Sequence, residues 1–348
     1  DQPATARSIA ERLGMLEGGG RVVRGSELSG MDEAELREVV GEVSVFGRVS
    51  PEDKLRIVEA LLDRGEVVGM LGDGVNDAPA LKRADIGVAM GGRGTDVAKS
   101  VADLVLADDR LRTIGVAVEE GRVIFDNIRK FVFYLFSCNL SEVGIVLGAS
   151  LAGAPLPLLP LQLLWLNVVT DVFPALALSA EPAEPDVMRR PPRPRDAPIL
   201  SRGFLTYLGS YAALMTAVTL GVFWWALTRG PGTPGYAVTM SFMTLAMAQL
   251  AHALNAKRFG PFHLGSKSTR NRWMVAALFL GVALQLLAVY VPMLQRVLGT
   301  VPLGPRDWAI VGGAALVPLV AGQAWKYART QSPKNDSSAA SEAPGPSS

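Results

Sequence analysis

Apolar and polar positions divide the chain into two regimes. Over residues 1–125, short apolar runs alternate with charged segments of helical spacing. From Phe131 to Tyr327, long apolar stretches are separated by short basic or Pro/Gly-rich loops. In the first regime the runs Val43–Phe46, Val67–Leu71, Ile86–Ala89 and Leu104–Leu106 predict strands. The segments Pro3–Leu13, Asp32–Val40, Pro51–Asp63, Ala78–Lys82 and Thr95–Val101 predict helices. Helices alternating with apolar strands imply a mostly parallel sheet covered on both faces. The helix at Pro51 carries its own start signals. Ser50 suits the cap, Pro51 the first helical position, and Asp53 completes an S-x-x-D box.

The second regime predicts six spans, at about 129–152, 158–179, 204–228, 237–255, 273–294 and 307–327. Several reach the roughly 20 residues needed to cross about 30 Å of hydrocarbon. From about Leu111 one helix is expected to run without a strong stop into the first span. It carries Glu119, Glu120, Arg122, Arg129 and Lys130 before its charge ends. The expected organisation is therefore an α/β domain over 1–110, a stalk helix over 111–130, an all-α membrane part over 131–328 and a tail over 329–348. The tail is rich in Ser, Ala and Pro and is expected to be disordered.

Charge orients the spans. The loop after the second span holds Arg189, Arg190, Arg193, Arg195 and Arg202, and the loop after the fourth holds Lys257, Arg258, Lys267, Arg270 and Arg272. The opposite loops hold only Arg229, Arg296 and Arg306. This bias places the basic loops, the soluble domain and both termini in the cytosol, with the plasma membrane as the expected location. A hydrophobic fraction of 49% and a mean hydropathy of +0.27 agree with a membrane protein, while the net charge of +1 does not suggest nucleic acid as a partner. Cys138 is the single cysteine and lies in an apolar stretch, which excludes a disulfide framework and a Cys-based metal motif. Residues 1–14 are polar and amphipathic rather than a signal peptide, and no Met opens the chain. The expectation is a chain that begins partway through a longer protein.

The sharpest string is Gly72-Asp73-Gly74-Val75-Asn76-Asp77-Ala78-Pro79-Ala80-Leu81, directly after an apolar strand. Ligands of open α/β sheets bind beyond the carboxyl ends of strands, where Asp73 and Asp77 would sit. Glycines flanking Asp73 permit a tight turn and close approach of a ligand. Two carboxylates with an Asn between them make a hard-oxygen site suited to Mg²⁺. Lys54, near the start of its helix, supplies a cation for a phosphoryl group. The competing reading of Gly-Asp-Gly is a surface turn with Asp77 as a helix cap.

Within the spans, ionisable and polar residues are functional candidates because burying them in lipid is costly. Asn139 and Glu142 share one helix face at i, i+3. Asn167, Thr170 and Asp171 share another at i, i+3 and i+4. Pro174 follows and is expected to free backbone carbonyls by breaking the helix. All these side chains offer oxygen, as a hard cation requires. The competing reading is hydrogen bonding between helices, which suits Thr170 better than the two carboxylates. Cys138 and the Met residues of the fourth span read as packing. His252 reads as a packing or hydrogen-bonding residue, with a proton-linked role as the alternative.

The string Gly72–Leu81 resembles the hinge motif of P-type ATPases, which have a haloacid-dehalogenase-like fold. Phe46-Gly47-Arg48-Val49-Ser50-Pro51, Lys54, Ala84–Gly91, Val105–Asp109 and Glu119–Arg122 resemble that family in order and spacing, in the manner of its calcium and sodium/potassium pump branch. The resemblance runs from Asp1 to about Arg329. It implies a partial haloacid-dehalogenase-like phosphorylation domain followed by an all-α bundle of six spans. Asp73 would bind the catalytic Mg²⁺, Asn76 and Asp77 would order the phosphorylation site, and Lys54 would contact the phosphoryl group. Asp1 resembles the last residue of a Thr-Gly-Asp motif, which places it with Lys54 and Asn76 among the cofactor contacts, ATP being the substrate of the complete pump.

Asn139–Glu142 and Leu164–Asp171 resemble the ion-site segments of sarcoplasmic-reticulum-type calcium pumps. Ala248–Asn255 resembles a fourth-span segment that carries a Glu in those pumps, where Gln249 stands here. The implied cation ligands are Asn139, Glu142, Asn167, Thr170, Asp171 and Gln249. The expected ion is Ca²⁺, at fewer sites than in pumps with that Glu. No Asp-Lys-Thr-Gly-Thr string occurs in the 348 residues, so the phosphate-accepting Asp of the family is not among them. The reading is thus about half of an ATP-driven cation pump, with the other half as its expected partner. The alternatives are a non-catalytic membrane subunit or remnant, or a pump for a monovalent cation.

Overall fold

The computed structural model describes residues 2–16, 21–195, 198–229, 233–258, 260 and 271–330. Asp1, Lys267, Arg270 and the tail from residue 331 lie outside the described residues. The chain forms two compact units: Asp1–Val118 with Pro191–Ala197, and Glu119–Arg190 with Pro198–Ser348.

The first unit alternates helices and strands in the order α1 (Pro3–Arg12), β1 (Val22–Arg24), α2 (Gly25–Leu28), α3 (Glu33–Glu42), β2 (Val45–Gly47), α4 (Pro51–Asp63), β3 (Gly69–Gly72), α5 (Ala78–Arg83), β4 (Ile86–Met90), α6 (Asp96–Val101) and β5 (Leu104–Leu106). All pairing is parallel, β1 with β2 and β3–β4–β5 in sequence order. Parallel neighbours need a crossover between them, which α5 and α6 supply for β3–β4–β5. The expected single sheet is thus two short sheets. β1, too short and too charged at its flanks to stand out in the sequence, pairs Val22 with Val45.

The strand expected at Val67–Leu71 starts two residues late. The N–H of Val68 donates to Asp85 Oδ2 at 2.9 Å, so the ladder with β4 begins at Gly69 opposite Ile86. Val67 is left 56% exposed. α4 begins as its sequence dictates. Ser50 Oγ accepts from the Asp53 N–H at 3.1 Å, and Asp53 Oδ2 accepts from the Ser50 N–H at 3.1 Å. Its inner face buries Val58, Ala60 and Leu62. Ala60 joins Val23, Leu28, Leu36, Val40 and Val43 in one core cluster, and Val58 and Leu62 join Val68 and Ala80 in the next.

The second unit holds the apolar helices. α7 (Arg112–Leu151) is one 40-residue helix that starts in the first unit and ends in the second. α8 (Pro160–Trp165), a π-helical turn (Leu166–Asp171) and α9 (Val172–Ser179) form one span. α10 (Arg202–Arg229), α11 (Pro234–Ala256), α12 (Arg272–Tyr290), α13 (Pro292–Leu298) and α14 (Pro305–Thr330) follow. Six of these segments are long and apolar enough to cross a membrane. The fifth expected span does not run unbroken to residue 294. Pro292 forces Val291 out of the helical region, to φ −85° and ψ 119°, and α13 starts afresh.

α11 is the buried centre of this unit, enclosed around its whole circumference, with Thr239, Ser241, Thr244, Gln249, His252 and Asn255 buried among its apolar residues. Its small residues Ala237, Ala246, Ala248 and Ala253 are fully buried and let neighbouring backbones come close. Before its apolar stretch, α7 is tied to the loop after α9. Arg122 Nη1 donates to the carbonyls of Val187 and Arg190 at 2.9 and 2.8 Å, and Asn127 Nδ2 donates to that of Glu181 at 2.7 Å. Arg190 pairs with Asp126 at 2.6 Å, Glu184 at 3.0 Å and Asp186 at 2.9 Å. Its bond to Asp186 holds that carboxyl below the usual carboxylate range and raises the guanidinium in return.

Candidate functional site

In the first unit the loops that follow β2, β3, β4 and β5 carry the residues singled out in the sequence. β3 delivers Asp73. A 3₁₀ turn, Val75–Asp77, then brings the chain into α5. Gly72 is required here because a Cβ would fall 2.5 Å from the Asp77 Cβ. The Asp73 carbonyl accepts from the Thr95 N–H at 2.9 Å, which fixes the loop to the start of α6. Asp109, itself at φ 52°, accepts from the N–H groups of Gly92 and Arg93 at 2.9 and 3.1 Å, bracing the loop after β4.

Asp77 is buried and makes no side-chain cap on α5, so the helix-cap reading of this residue does not hold. Its Oδ1 accepts from Lys54 Nζ at 2.6 Å, and its Oδ2 lies 3.4 Å from the Asp73 N–H. Lys54 reaches it from the first turn of α4. Asp73 and Asn76 are exposed, and among the described residues no Lys or Arg pairs with Asp73. The two carboxylates are therefore unequal: Asp77 is charge-compensated, and Asp73 is open. One free carboxylate at a glycine-flanked strand end fits Mg²⁺, which keeps several waters and takes one or two carboxylates. No cluster of three His, Cys, Asp or Glu occurs among the described residues, so nothing here resembles an all-protein metal cage.

In the second unit the structure buries Glu142, Thr170, Asp171 and Gln249 of the candidate cation ligands and bonds Asn167 to Glu142. Glu142 of α7 is buried. Its Oε2 accepts from Asn167 Nδ2 at 2.9 Å and its Oε1 from Gln249 Nε2 at 3.0 Å. Three spans thus meet at one carboxylate. Asp171 ends the π turn, almost fully buried. Its Oδ1 accepts from the Tyr134 hydroxyl at 3.2 Å, and its Oδ2 has no hydrogen-bond partner among the described residues. Thr170 is fully buried and its Oγ1 accepts from Gln285 Nε2 at 2.8 Å.

Pro174 acts differently from the expected break. The span continues through the π turn into α9, and Pro174 lies inside α9. Proline has no N–H to offer the Thr170 carbonyl, which accepts instead from the Tyr134 hydroxyl at 3.3 Å. π turns of this kind recur at functional sites. Asn139 does not join the cluster. It is exposed, and its Nδ2 donates to the Leu135 carbonyl of its own helix at 2.8 Å.

His252 is fully buried between rings. Its Nε2 lies 2.8 Å from Ser137 Oγ, and its ring packs on Phe133, Tyr134 and Tyr211. That arrangement is packing together with hydrogen bonding. Cys138, Met240 and Met243 are fully buried in core clusters. Tyr134 and Gln285 are the polar neighbours that sequence reading passed over. Gln285 is legible in hindsight as the only amide in the apolar run from Trp273 to Tyr290. Tyr134 shares the buried stripe of Ser137, Cys138, Ser141 and Ile145, at helical spacing.

Comparison with known proteins bears on both units. Residues 155–328 match the family described as cation transporting ATPase, C-terminus, and residues 1–85 match haloacid dehalogenase-like hydrolase. The chain is similar to a calcium-transporting ATPase of Bacillus subtilis (strain 168), at 42% identity over 92% of this chain and 36% of that protein. Calcium-transporting ATPase 1 of Bacillus cereus is 39% identical over 94% of this chain and 39% of its own length. The human calcium-transporting ATPase type 2C member 2 is 37% identical over 90% of this chain and 33% of its own length. The chain thus spans between 33% and 39% of these relatives.

Proposed function

The chain belongs to the P-type cation-transporting ATPases, as a multi-pass integral membrane protein, and from that premise we propose that it forms the C-terminal part of an ATP-driven calcium pump. Residues 1–110 are then the end of the phosphorylation domain, 111–130 the stalk, and 131–328 the membrane domain that holds the transported ion. The observation that carries this reading is the pair of buried carboxylates Glu142 and Asp171 inside the spans. Amide and hydroxyl groups of Asn167, Gln249 and Thr170 are at hand. Carboxylates enclosed by apolar helices call for a cation or a proton. Oxygen ligands of this kind suit Ca²⁺, which takes six to eight of them. Asn139 faces outward and would serve as a ligand only if its side chain left the Leu135 carbonyl.

In the first unit, Asp73 would hold Mg²⁺, which supplies charge compensation to the phosphoryl group of ATP during transfer. Lys54 and Asp77 form the ion pair that sets the position of the Lys54 ammonium. Asn76, exposed beside Asp73, is free to orient the phosphoryl oxygens, and Asp1 would contact the nucleotide. The basic loops after α9 and α11 favour a cytosolic side that also carries both termini, and the plasma membrane is the expected compartment.

The test is ATP-driven uptake by vesicles carrying the full-length gene product. Wild-type vesicles take up Ca²⁺, and Glu142→Gln and Asp171→Asn each abolish the uptake. Uptake of Na⁺ or K⁺ with no response to Ca²⁺ would overturn the ion assignment, which Gln249, neutral where related pumps carry a Glu, makes the sharpest alternative.

A further inference from the structure

Gln285 lies outside every residue assigned above, yet it reaches into the cation cluster. It is the only amide in α12, whose other residues from Trp273 to Tyr290 are apolar or aromatic. It is fully buried. Burying an amide among apolar helices is costly unless the amide is hydrogen-bonded. Its Nε2 donates to Thr170 Oγ1 at 2.8 Å, and its Oε1 is buried with no partner among the described residues. Its acceptor oxygen is thus unspent among the described residues. A residue kept only to join two helices would be better served by a smaller group with nothing left over.

Thr170 is held differently from the threonines that bond their own helix and from Thr216, which donates to the Ser141 carbonyl of α7 at 3.2 Å; its oxygen accepts instead. Thr206, Thr228 and Thr239 turn back on their own helices, donating to carbonyls four residues earlier. Thr170 lies in the π turn, where backbone bonding is displaced by one residue, and its hydroxyl oxygen is engaged from a separate span. It immediately precedes Asp171, whose Oδ2 is likewise buried and without a hydrogen-bond partner among the described residues.

We propose that Gln285 is a positioning residue of the cation site, setting the rotamer of Thr170 so that its hydroxyl oxygen presents a lone pair beside Asp171. One Thr170 lone pair takes the Gln285 N–H and the other stays available, with the hydroxyl hydrogen turned aside. The hydroxyl is then ordered before a cation arrives, and no ordering cost falls on binding. Gln285 acts through Thr170 and touches neither ATP nor the phosphorylation chemistry. This inference rests on the calcium-pump reading of Glu142 and Asp171.

The experiment uses the full-length gene product with Ca²⁺ as the probe and reads Ca²⁺-dependent ATP hydrolysis. Gln285→Met, which conserves volume, should raise the half-saturating Ca²⁺ concentration roughly three- to tenfold, the scale of one hydrogen bond, with the maximal rate kept. Thr170→Val should lower affinity by itself, and adding Gln285→Met to it should cost nothing further, because the two act as one unit. Gln285→Leu replaces Gln285→Met if the latter is not recovered as a monodisperse protein. An unshifted half-saturation, a loss confined to the maximal rate, or additive losses in the double variant would each overturn the proposal. Wild-type protein without any Ca²⁺ response condemns the calcium-pump reading. A normal wild-type response lost in Glu142→Gln but unshifted in Gln285→Met condemns this inference alone.

Discussion

Asp73 and Asp77 are four residues apart, yet the fold gives them opposite electrostatic surroundings. Asp77 is buried and neutralised by Lys54 at 2.6 Å, while Asp73 is exposed and receives no cationic side chain among the described residues. A carboxylate already paired has little left for a metal, so the open one is the Mg²⁺ candidate. Asp73→Asn in the full-length gene product is expected to lower phosphoenzyme formation on the order of a hundredfold or more, since charge compensation at the phosphoryl group is lost. Equilibrium Ca²⁺ binding should be unchanged, because Glu142 and Asp171 belong to the other unit. Phosphorylation with labelled ATP and binding of labelled Ca²⁺ separate the two; lost binding with normal phosphoenzyme would contradict the assignment.

The element that shapes the membrane cluster is the π turn Leu166–Asp171 followed by α9. Pro174 cannot return an N–H to Thr170, and the freed carbonyl is met by the Tyr134 hydroxyl at 3.3 Å. The same hydroxyl also donates toward Asp171 Oδ1 at 3.2 Å, so Tyr134 of α7 is shared between two acceptors of the second span. Pro174→Ala would supply the missing donor and let the span relax toward a regular α-helix. The variant should melt at a higher temperature in detergent, because a proline inside a helix costs about 3 kcal/mol or more. Its Ca²⁺ affinity should fall, because carbonyls and side chains of the turn move out of register with Glu142. A stabilised variant with unaltered half-saturating Ca²⁺ would show that the turn has no part in the site.

At the scale of the molecule, one 40-residue helix, α7, runs from the first unit into the second. Its charged section is locked by Arg122, Asp126, Asn127 and Arg190 to the loop after α9, and its apolar section carries Glu142. Helix and loop are therefore bonded together within the second unit. Division of labour between units leads to a simple expectation for a polypeptide of these 348 residues alone. It contains Asp73, Asn76 and Asp77 but no Asp-Lys-Thr-Gly-Thr string. Incubated with labelled ATP it should give no acid-stable phosphoprotein, and clear labelling would mean that another side chain accepts the phosphoryl group.

Much of this protein was legible before any coordinates. Apolar length alone marks the six spans, because a continuous apolar run in lipid must satisfy its own backbone, which a helix does within the segment. The α4 start at Ser50–Asp53 follows from local capping chemistry, and Gly72–Leu81 announces a strand-to-helix loop that carries carboxylates. These signals are local, written in residues within a turn or two of each other. What the sequence left open depends on partners distant along the chain. The ladder begins at Gly69 because Asp85 captures the Val68 N–H. β1 exists because β2, 23 residues further on, pairs with it. Asn139 shares a helical face with Glu142 by spacing, but packing turns one outward to its own backbone and the other inward to Asn167 and Gln249. Gln285 and Tyr134 enter the cluster only through the packing of α12 and α7 around the π turn. Helical period says which side chains share a face; only the tertiary arrangement decides what that face meets, because buried polar groups take their partners from whichever helix lies against them.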